Sequence, residues 1–411
     1  MEMKKPELLI PAGSFENLKI AIKYGADAVY IGGEQFGLRA KAKNFSHDVM
    51  KEAVSYAHEH NVKVYVTANI IAHNDDLLGV EDYFESLKEI KPDALIIADP
   101  GILGIAKEIL PDMELHLSTQ ANNTNYASLN FWYKQGVKRV VIARELSFDE
   151  IATIRAKIPT DMDIEAFVHG AMCISYSGRC LLSNYMAGKD ANKGACSHPC
   201  RWTYNLVEET RPGEYMPVYE NERGTYIYNS KDLNMIEYID ELVKVGVSSL
   251  KIEGRMKTAL YVATVTSTYR KAIDDFFEDP MVYHANKKGY MEDLKKCSHR
   301  HFSTGFYIDK PDEENQIYDS NTYVRDYVFV GRVIGDLKNG KTLIEQRNKF
   351  SIGDTLELMK ADGRTVIFNV DEIETEEGKR VESAPHPKQH VFINLPVAGE
   401  MNEIIRKIEK K

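Results

Sequence analysis

The sequence predicts an α/β fold: a TIM (β/α)8 barrel with a cysteine-bearing insertion after strand 7, followed by a small C-terminal antiparallel β-barrel domain. Three observations predict it. Short β-rich runs alternate with amphipathic helical segments along most of the 411-residue chain, the pattern of repeated βα units around a parallel sheet. Eight such units fit within about 280 residues, the size of a closed barrel. From about Lys310 the texture changes to apolar–polar alternation between Gly, Asn and Asp turns, as in half-buried antiparallel strands.

The eight strands read ELLIPA from Glu7, AVYIGG from Ala28, VKVYVTAN from Val62, ALIIAD from Ala94, ELHLST from Glu114, RVVIAR from Arg139, IEAFVHG from Ile164 and SLKIEG from Ser249. Each of the first seven is apolar through its middle and ends in small or polar residues, as expected when both faces are buried and the C-terminal tip opens into a site. Between them, SHDVMKEAVSYAHEH predicts a helix with Ser46 as N-cap and an apolar stripe of Val49, Ala53, Val54 and Ala57. DLNMIEYIDELVKVG predicts another, with Leu233, Ile236, Ile239, Leu242 and Val243 on one face and Gly246 ending it. ALYVATVTSTYRKAIDDFF supplies the closing helix. The seventh and eighth strands lie much further apart than the others, so an insertion leaves a C-terminal strand tip, the face on which barrels build their sites. The chain thus divides into a barrel over 1–285 with the insertion at about 171–231, a helical and linker segment over 286–322, and the C-terminal domain over 323–411. In that domain YVFVGRVIG, KTLIEQRN, IGDTLELMK, RTVIFNVDEI and HVFINLP read as strands.

A hydrophobic content of 43% and a net charge of −10 are ordinary for a globular protein and exclude a generic nucleic-acid coat. A basic groove on one face remains compatible with them. The apolar run in MEMKKPELLIPAGS is too short for a signal peptide, and no segment is long and apolar enough to span a bilayer. The expectation is a cytoplasmic protein without a membrane partner.

Four of the five cysteines lie in MCISYSGRCLLSNYMAGKDANKGACSHPC, with the spacing Cys173-x6-Cys180-x15-Cys196-x3-Cys200. In a reducing compartment, clustered thiols are metal ligands or redox groups more often than disulfides. Four soft donors suit tetrahedral zinc or a cubane iron–sulfur cluster. The uneven gaps at a barrel mouth favour iron–sulfur, with zinc as the alternative. Cys297 stands apart and reads as a spare thiol.

Polar residues fall at the strand tips: Arg39 and Lys41, Asn69, His116 and Gln120, Arg144, Glu165 and His169, and Lys251, Glu253 and Arg255. Arg39, Arg144 and Arg255 suit an anionic substrate, because guanidinium forks grip a carboxylate or phosphate at two points. His169 and Glu253 are the candidate catalytic groups. The bland readings are a hydrogen-bonded core histidine for His169 and an ion-pair network filling the barrel for Glu253 and Lys251. In NKKGYMEDLKKCSHRHF, Lys295, Lys296 and Arg300 with interleaved His and Phe suit an RNA-backbone groove, or else a solvated helix face. No His-Glu-x-x-His helix, Gly-x-Ser-x-Gly elbow or Walker loop is present in the sequence.

These motifs resemble a known family. EAFVHGAMCISYSGRCLLSNY is similar to the signature of the collagenase-like U32 peptidase family, and PAGSFENLKIAIKYGADAVYIGG, FGLRAKAKNF, LSTQANNTN, CSHPCRW, LKIEGRMK and STGFY match its other blocks in order. The resemblance implies a TIM barrel with a β-barrel extension. Within the family it points to the branch that hydroxylates a tRNA wobble uridine to 5-hydroxyuridine without oxygen, with prephenate as hydroxyl donor. Carried over residue by residue, it makes Cys173, Cys180, Cys196 and Cys200 ligands of a 4Fe–4S cluster. The partners implied are tRNA, a small dicarboxylate donor, and either a second copy or a paired family subunit. A collagenase-like peptidase, and a noncatalytic RNA-binding or assembly factor, are the alternative readings.

Overall fold

In the computed structural model, which describes residues 3–34, 36–37, 44–173, 175–202, 205–207, 215–217, 229–310, 316–317, 323–338 and 340–409, the barrel is closed. Its strands are β1 (Glu7–Pro11), β2 (Ala28–Gly32), β3 (Lys63–Ala68), β4 (Ala94–Ile97), β5 (Glu114–Leu117), β6 (Arg139–Val141), β7 (Asp163–Ala171) and an eighth, Ser249–Ile252. All pair in parallel. The eighth strand bonds to both β7 and β1, with Ser249 opposite Glu165 on one side and Glu7 on the other, so no barrel edge is left open.

Helices α1 (Phe15–Lys23), α2 (His47–Glu59), α3 (Val80–Ile90), α4 (Pro100–Ile109), α5 (Tyr126–Lys134) and α6 (Phe148–Arg155) alternate with the first seven strands. Their starts follow local chemistry. The Ser14 side chain accepts the Asn17 N–H, Asp99 caps α4 ahead of Pro100, and Ser147 and Glu150 form a reciprocal capping box. Helix α2 buries Met50, Ala53, Val54 and Ala57, while Val49 is exposed. The predicted stripe was one residue out of phase at its first position.

The segment read as one helix over 232–246 is divided. Asp232–Asn234 is a strand running antiparallel to the end of β7, with Asn234 opposite His169, and it pairs in parallel with Phe302–Ser303. The Asn234 side chain then accepts the Ile236 N–H, and the chain turns into a 3-10 turn and helix α8 (Ile239–Lys244). Unpaired backbone at the protruding end of β7 recruits those residues, and this pairing outweighs their helical pattern. A short helix in the insertion, α7 (Leu182–Ala187), precedes this strand; α9 (Ala259–Glu278) and α10 (Pro280–Leu294) follow the eighth.

The C-terminal region forms a seven-stranded antiparallel curled sheet around Val330, Val333, Ile344, Leu356, Leu358, Val391 and Ile405. Its last strand, Ile404–Ile408, lies inside the sheet between Tyr327–Lys338 and Thr355–Met359; its flanking charges hid it in the sequence. The sheet docks on the outer face of the barrel. The Tyr24 hydroxyl donates to the Met359 carbonyl (2.7 Å) and accepts from the Ile404 N–H (3.0 Å), and Arg347 pairs with Glu16 (2.6 Å). Of the acidic linker, Gln316–Ile317 pairs with Asn229–Ser230, and 311–315 and 318–322 lie outside the described residues. Among the described residues no helix is long and apolar enough to cross a membrane.

Candidate functional site

The insertion is drawn across the C-terminal tips of β3, β5 and β6. Just after β6, the buried Arg144 guanidinium donates to the Ala171 carbonyl and to Ser177 Oγ, both at 3.0 Å. After β5, Asn122 sits in a left-handed turn and donates to the Ser177 carbonyl (3.0 Å). Beyond β3, the Ile71 N–H meets the Asn192 carbonyl (3.4 Å) and Asp76 pairs with Lys193 (2.7 Å). Gly178, at φ +72°, lets the loop lie on this floor, because a Cβ there would stand 3.0 Å from Ile71 and 3.2 Å from Gln120.

Under the loop, Asn69 at the end of β3 donates to Ser118 Oγ and Gln120 Oε1, both at 3.1 Å. Beside β2 and β3, Arg255 is 6% exposed and donates to Thr67 Oγ1 (3.3 Å) and Asn44 Oδ1 (2.9 Å). Its guanidinium lies against Gly32, where a Cβ would come within 2.2 Å of it. Half-buried Glu253 takes a long contact from the Tyr30 hydroxyl (3.5 Å), and its N–H donates to the His169 carbonyl (2.8 Å). Arg144, Asn69, Gln120, Glu253 and Arg255 are therefore gathered at the mouth. Asn44, Thr67, Ser118, Asn122 and Ser177 join them and were not read from the sequence. Asn122 had a signal, as an asparagine just past a strand end. Arg39 and Lys41 lie outside the described residues.

Four predicted mouth residues, Lys251, Glu165, His116 and His169, lie elsewhere. Lys251 points into the barrel and pairs with the fully buried Glu165 (2.6 Å), beside Arg139, which bonds Glu7, Asp163 and Glu165. Burial works against the Glu165 charge, yet Lys251 and Arg139 hold its carboxyl below the usual carboxylate range. This network fills the barrel interior, and His116, paired with Glu114 (2.7 Å), packs on the Tyr65 ring (4.7 Å), whose hydroxyl donates to Glu7 (2.6 Å). His169 is displaced by a bulge. Strict alternation would put it on the face of Glu165 and Phe167, but the β7 register shifts opposite Lys251 and Ile252. Its ring consequently packs against Tyr261, Tyr269 and Phe302 outside the barrel. Burial, then the charges of Lys257 and His299, push its pKa down to about 3. It is a neutral core histidine, not a proton shuttle at the mouth.

The proposed RNA cations also differ from expectation. Lys295 pairs with Glu292 (2.6 Å) and Lys296 with Asp293 (2.7 Å), while Arg300 is buried over the Tyr323 ring. Carboxylates in the last turn of helix α10 thus compensate these two lysines locally, while Lys288 on the helix is exposed.

None of the five cysteines is in a disulfide. Cys173 is exposed, and Cys180, Cys196 and Cys200 are half-buried. Cys173 lies beside Arg144, and Cys196 Sγ receives the His198 N–H (3.4 Å). Among the described residues no three His, Cys, Asp or Glu side chains are gathered closely enough to hold a metal ion. The loop fits such a group by its chemistry, four thiols on one segment with none in a disulfide, and not by assembled geometry. Cys297 is buried, its thiol pushed up to about 12 by desolvation, which keeps it protonated and unreactive.

The model of peptidase family U32 matches residues 13–317, and that of the peptidase family U32 C-terminal domain matches residues 325–406. The chain is 41% identical over 405 residues to tRNA hydroxylation protein P1 of Bacillus subtilis (strain 168), covering 98% of this chain and 95% of that one. It is 39% identical over 440 residues to tRNA hydroxylation protein P of Escherichia coli (strain K12), covering 97% and 96%. A 23S rRNA 5-hydroxycytidine synthase of Escherichia coli (strain K12) is 33% identical over 367 residues, covering 88% of this chain and 52% of that one.

Proposed function

The chain belongs to the peptidase U32 family, and from that premise we propose that it is an RNA-modifying enzyme that hydroxylates a tRNA wobble uridine to 5-hydroxyuridine. Support comes from relatives named for tRNA and rRNA hydroxylation, two of them matched over nearly their whole length. The geometric observation that carries the reading is the fastening of the cysteine-bearing loop to the barrel mouth by Arg144 and Asn122. Nothing in a plain structural loop requires a buried guanidinium to hold it over the face where barrel enzymes build their sites.

In this reading Cys173, Cys180, Cys196 and Cys200 would hold a 4Fe–4S cluster, which supplies redox and Lewis-acid chemistry when bound. The chain's own residues do the rest. Arg255, set between Asn44, Thr67 and Gly32, faces a prephenate-like dicarboxylate donor as its counter-charge. Asn69 and Gln120 offer amide groups to the edge of an unstacked uracil. Arg144 keeps the loop closed over both.

The test is nucleoside mass analysis of tRNA from a host stripped of its own tRNA hydroxylation proteins and given this chain. 5-Hydroxyuridine or nucleosides derived from it should return with the wild type and stay absent with Cys180→Ala. Unmodified tRNA with well-expressed wild-type protein, or collagen-peptide cleavage by purified protein that persists in Cys180→Ala, would overturn the reading.

A further inference from the structure

The cysteine-bearing first half of the insertion, 171–202, differs from the rest of the molecule in charge and in exposed surface. Over 171–202 it carries Arg179, Lys189, Lys193 and Arg201 against Asp190 alone, in a chain whose net charge is −10. Lys193 is held by Asp76. Arg179 and Lys189 are exposed and form no ion pair among the described residues. Large apolar side chains also stand in solvent here: Tyr176, Leu181, Met186 and Trp202 are exposed, and Tyr185 is 86% exposed.

Local hydrogen bonds orient this display. Helix α7 turns Ser183 inward, where its hydroxyl is fully buried against Ser197 Oγ (3.1 Å) and accepts the Ser197 N–H (3.0 Å). Tyr185, two residues on, is thereby held outward. Tyr176 precedes Ser177, the residue gripped by Arg144 and Asn122, so the same fastening that closes the mouth sets this ring at its rim.

We infer that Tyr176 and Tyr185, with Arg179 and Lys189, form the face that receives the unpaired loop of the substrate RNA, the rings stacking on its bases and the cations tracking its phosphates. The inference rests on the proposed RNA substrate and names the surface that recognises it. Charge complementarity selects a polyanion, since 171–202 carries four cationic side chains against one carboxylate, and exposed Arg179 and Lys189 form no ion pair among the described residues. Aromatic platforms select one with exposed base faces, because stacking is indifferent to sequence and unavailable to a paired duplex. Continuity with the mouth lets one stacked base lead the next into it.

The test measures affinity of the anaerobically purified holoprotein for tRNA and for an anticodon stem–loop, across salt. Tyr185→Ala should weaken binding roughly tenfold, as loss of one stacking platform does, and Tyr185→Phe should restore it. The pair Arg179→Ser and Lys189→Ser should reduce the slope of log affinity against log salt by roughly 1 to 2. Far-UV circular dichroism reports whether each variant folds. Wild-type binding left unchanged by Tyr185→Ala and by the double substitution overturns the surface and leaves the tRNA reading standing. So does Tyr185→Leu binding as tightly as wild type, which marks an apolar protein contact instead. Absence of any wild-type tRNA binding overturns the RNA reading itself, and this inference with it.

Discussion

Arg144 and Ser177 are joined by a 3.0 Å hydrogen bond, and the same guanidinium caps the carbonyl of Ala171, the last residue of β7. One buried side chain therefore ties the start of the insertion to the tip of β6. A lysine offers a point charge and cannot span two acceptors set for a planar fork. Arg144→Lys is expected to lower 5-hydroxyuridine formation about tenfold or more, in line with losing charge-assisted hydrogen bonds. Limited proteolysis should cut within 175–202 faster than in the wild type, with the barrel intact. Cleavage at the wild-type rate would separate Arg144 from loop closure.

Gly32 and Gly13 both lie against Arg255, and they should respond differently to the same methyl group. A Cβ on Gly32 meets the mobile end of the guanidinium at 2.2 Å, whereas a Cβ on Gly13 meets the Arg255 carbonyl oxygen at 1.9 Å. Gly32→Ala should fold with about 1–3 kcal/mol less stability and a raised KM for the donor, because Arg255 has to shift. Gly13→Ala should be the more destabilised, since backbone cannot swing away. Denaturant midpoints order the two variants, and the reverse order contradicts the packing argument.

His169 supplies a pH prediction with a definite sign. Its folded pKa, near 3, lies below the ordinary 6.5, so the unfolded chain takes up the proton first and stability falls as pH drops below 6.5. Between pH 6.5 and 5 this one group should cost the wild type about 1–2 kcal/mol. His169→Phe, set among three aromatic rings, should flatten that part of the urea-midpoint profile and keep hydroxylation at neutral pH. Loss of activity in a folded His169→Phe protein would return His169 to the catalytic set.

Protein purified without oxygen should be brown and contain iron and acid-labile sulfide. Cys180→Ala should bleach it while leaving most helical content, because the barrel core is separate from the loop. Stoichiometric zinc, with no iron taken up on reconstitution, would replace the cluster by a zinc site. Cys297→Ser should leave the colour unchanged, since that thiol is buried and bonded to the Leu294 carbonyl.

The barrel was legible because its cause is local. Strands buried on both faces must be apolar from end to end, and the intervening helices must carry one apolar stripe, so period and spacing expose each unit without reference to its neighbours. The insertion and its four thiols were legible for a related reason, as an interval too long for one βα crossover. Asn69, Gln120, Arg144, Glu253 and Arg255 could be placed at the mouth because a strand's C-terminal tip has a fixed position in a barrel.

Tertiary structure decided what depends on partners distant in the chain. Alternation along β7 assigns Glu165, Phe167 and His169 to one face, but the bulge opposite Lys251 and Ile252 turns His169 outward, and no pattern within IEAFVHG encodes a mismatch with a strand some 80 residues on. Lys251 reads as a free cation until Glu165, 86 residues away, is seen 2.6 Å from it. Asp232–Asn234 has a helical pattern and becomes a strand because the end of β7 offers unpaired backbone. The sequence by itself therefore determined the barrel, its insertion and the residue types at its mouth, which follow from burial and period. The folded chain alone decided which of those side chains are already spent on one another, because ion pairs and register are settled between segments and not within them.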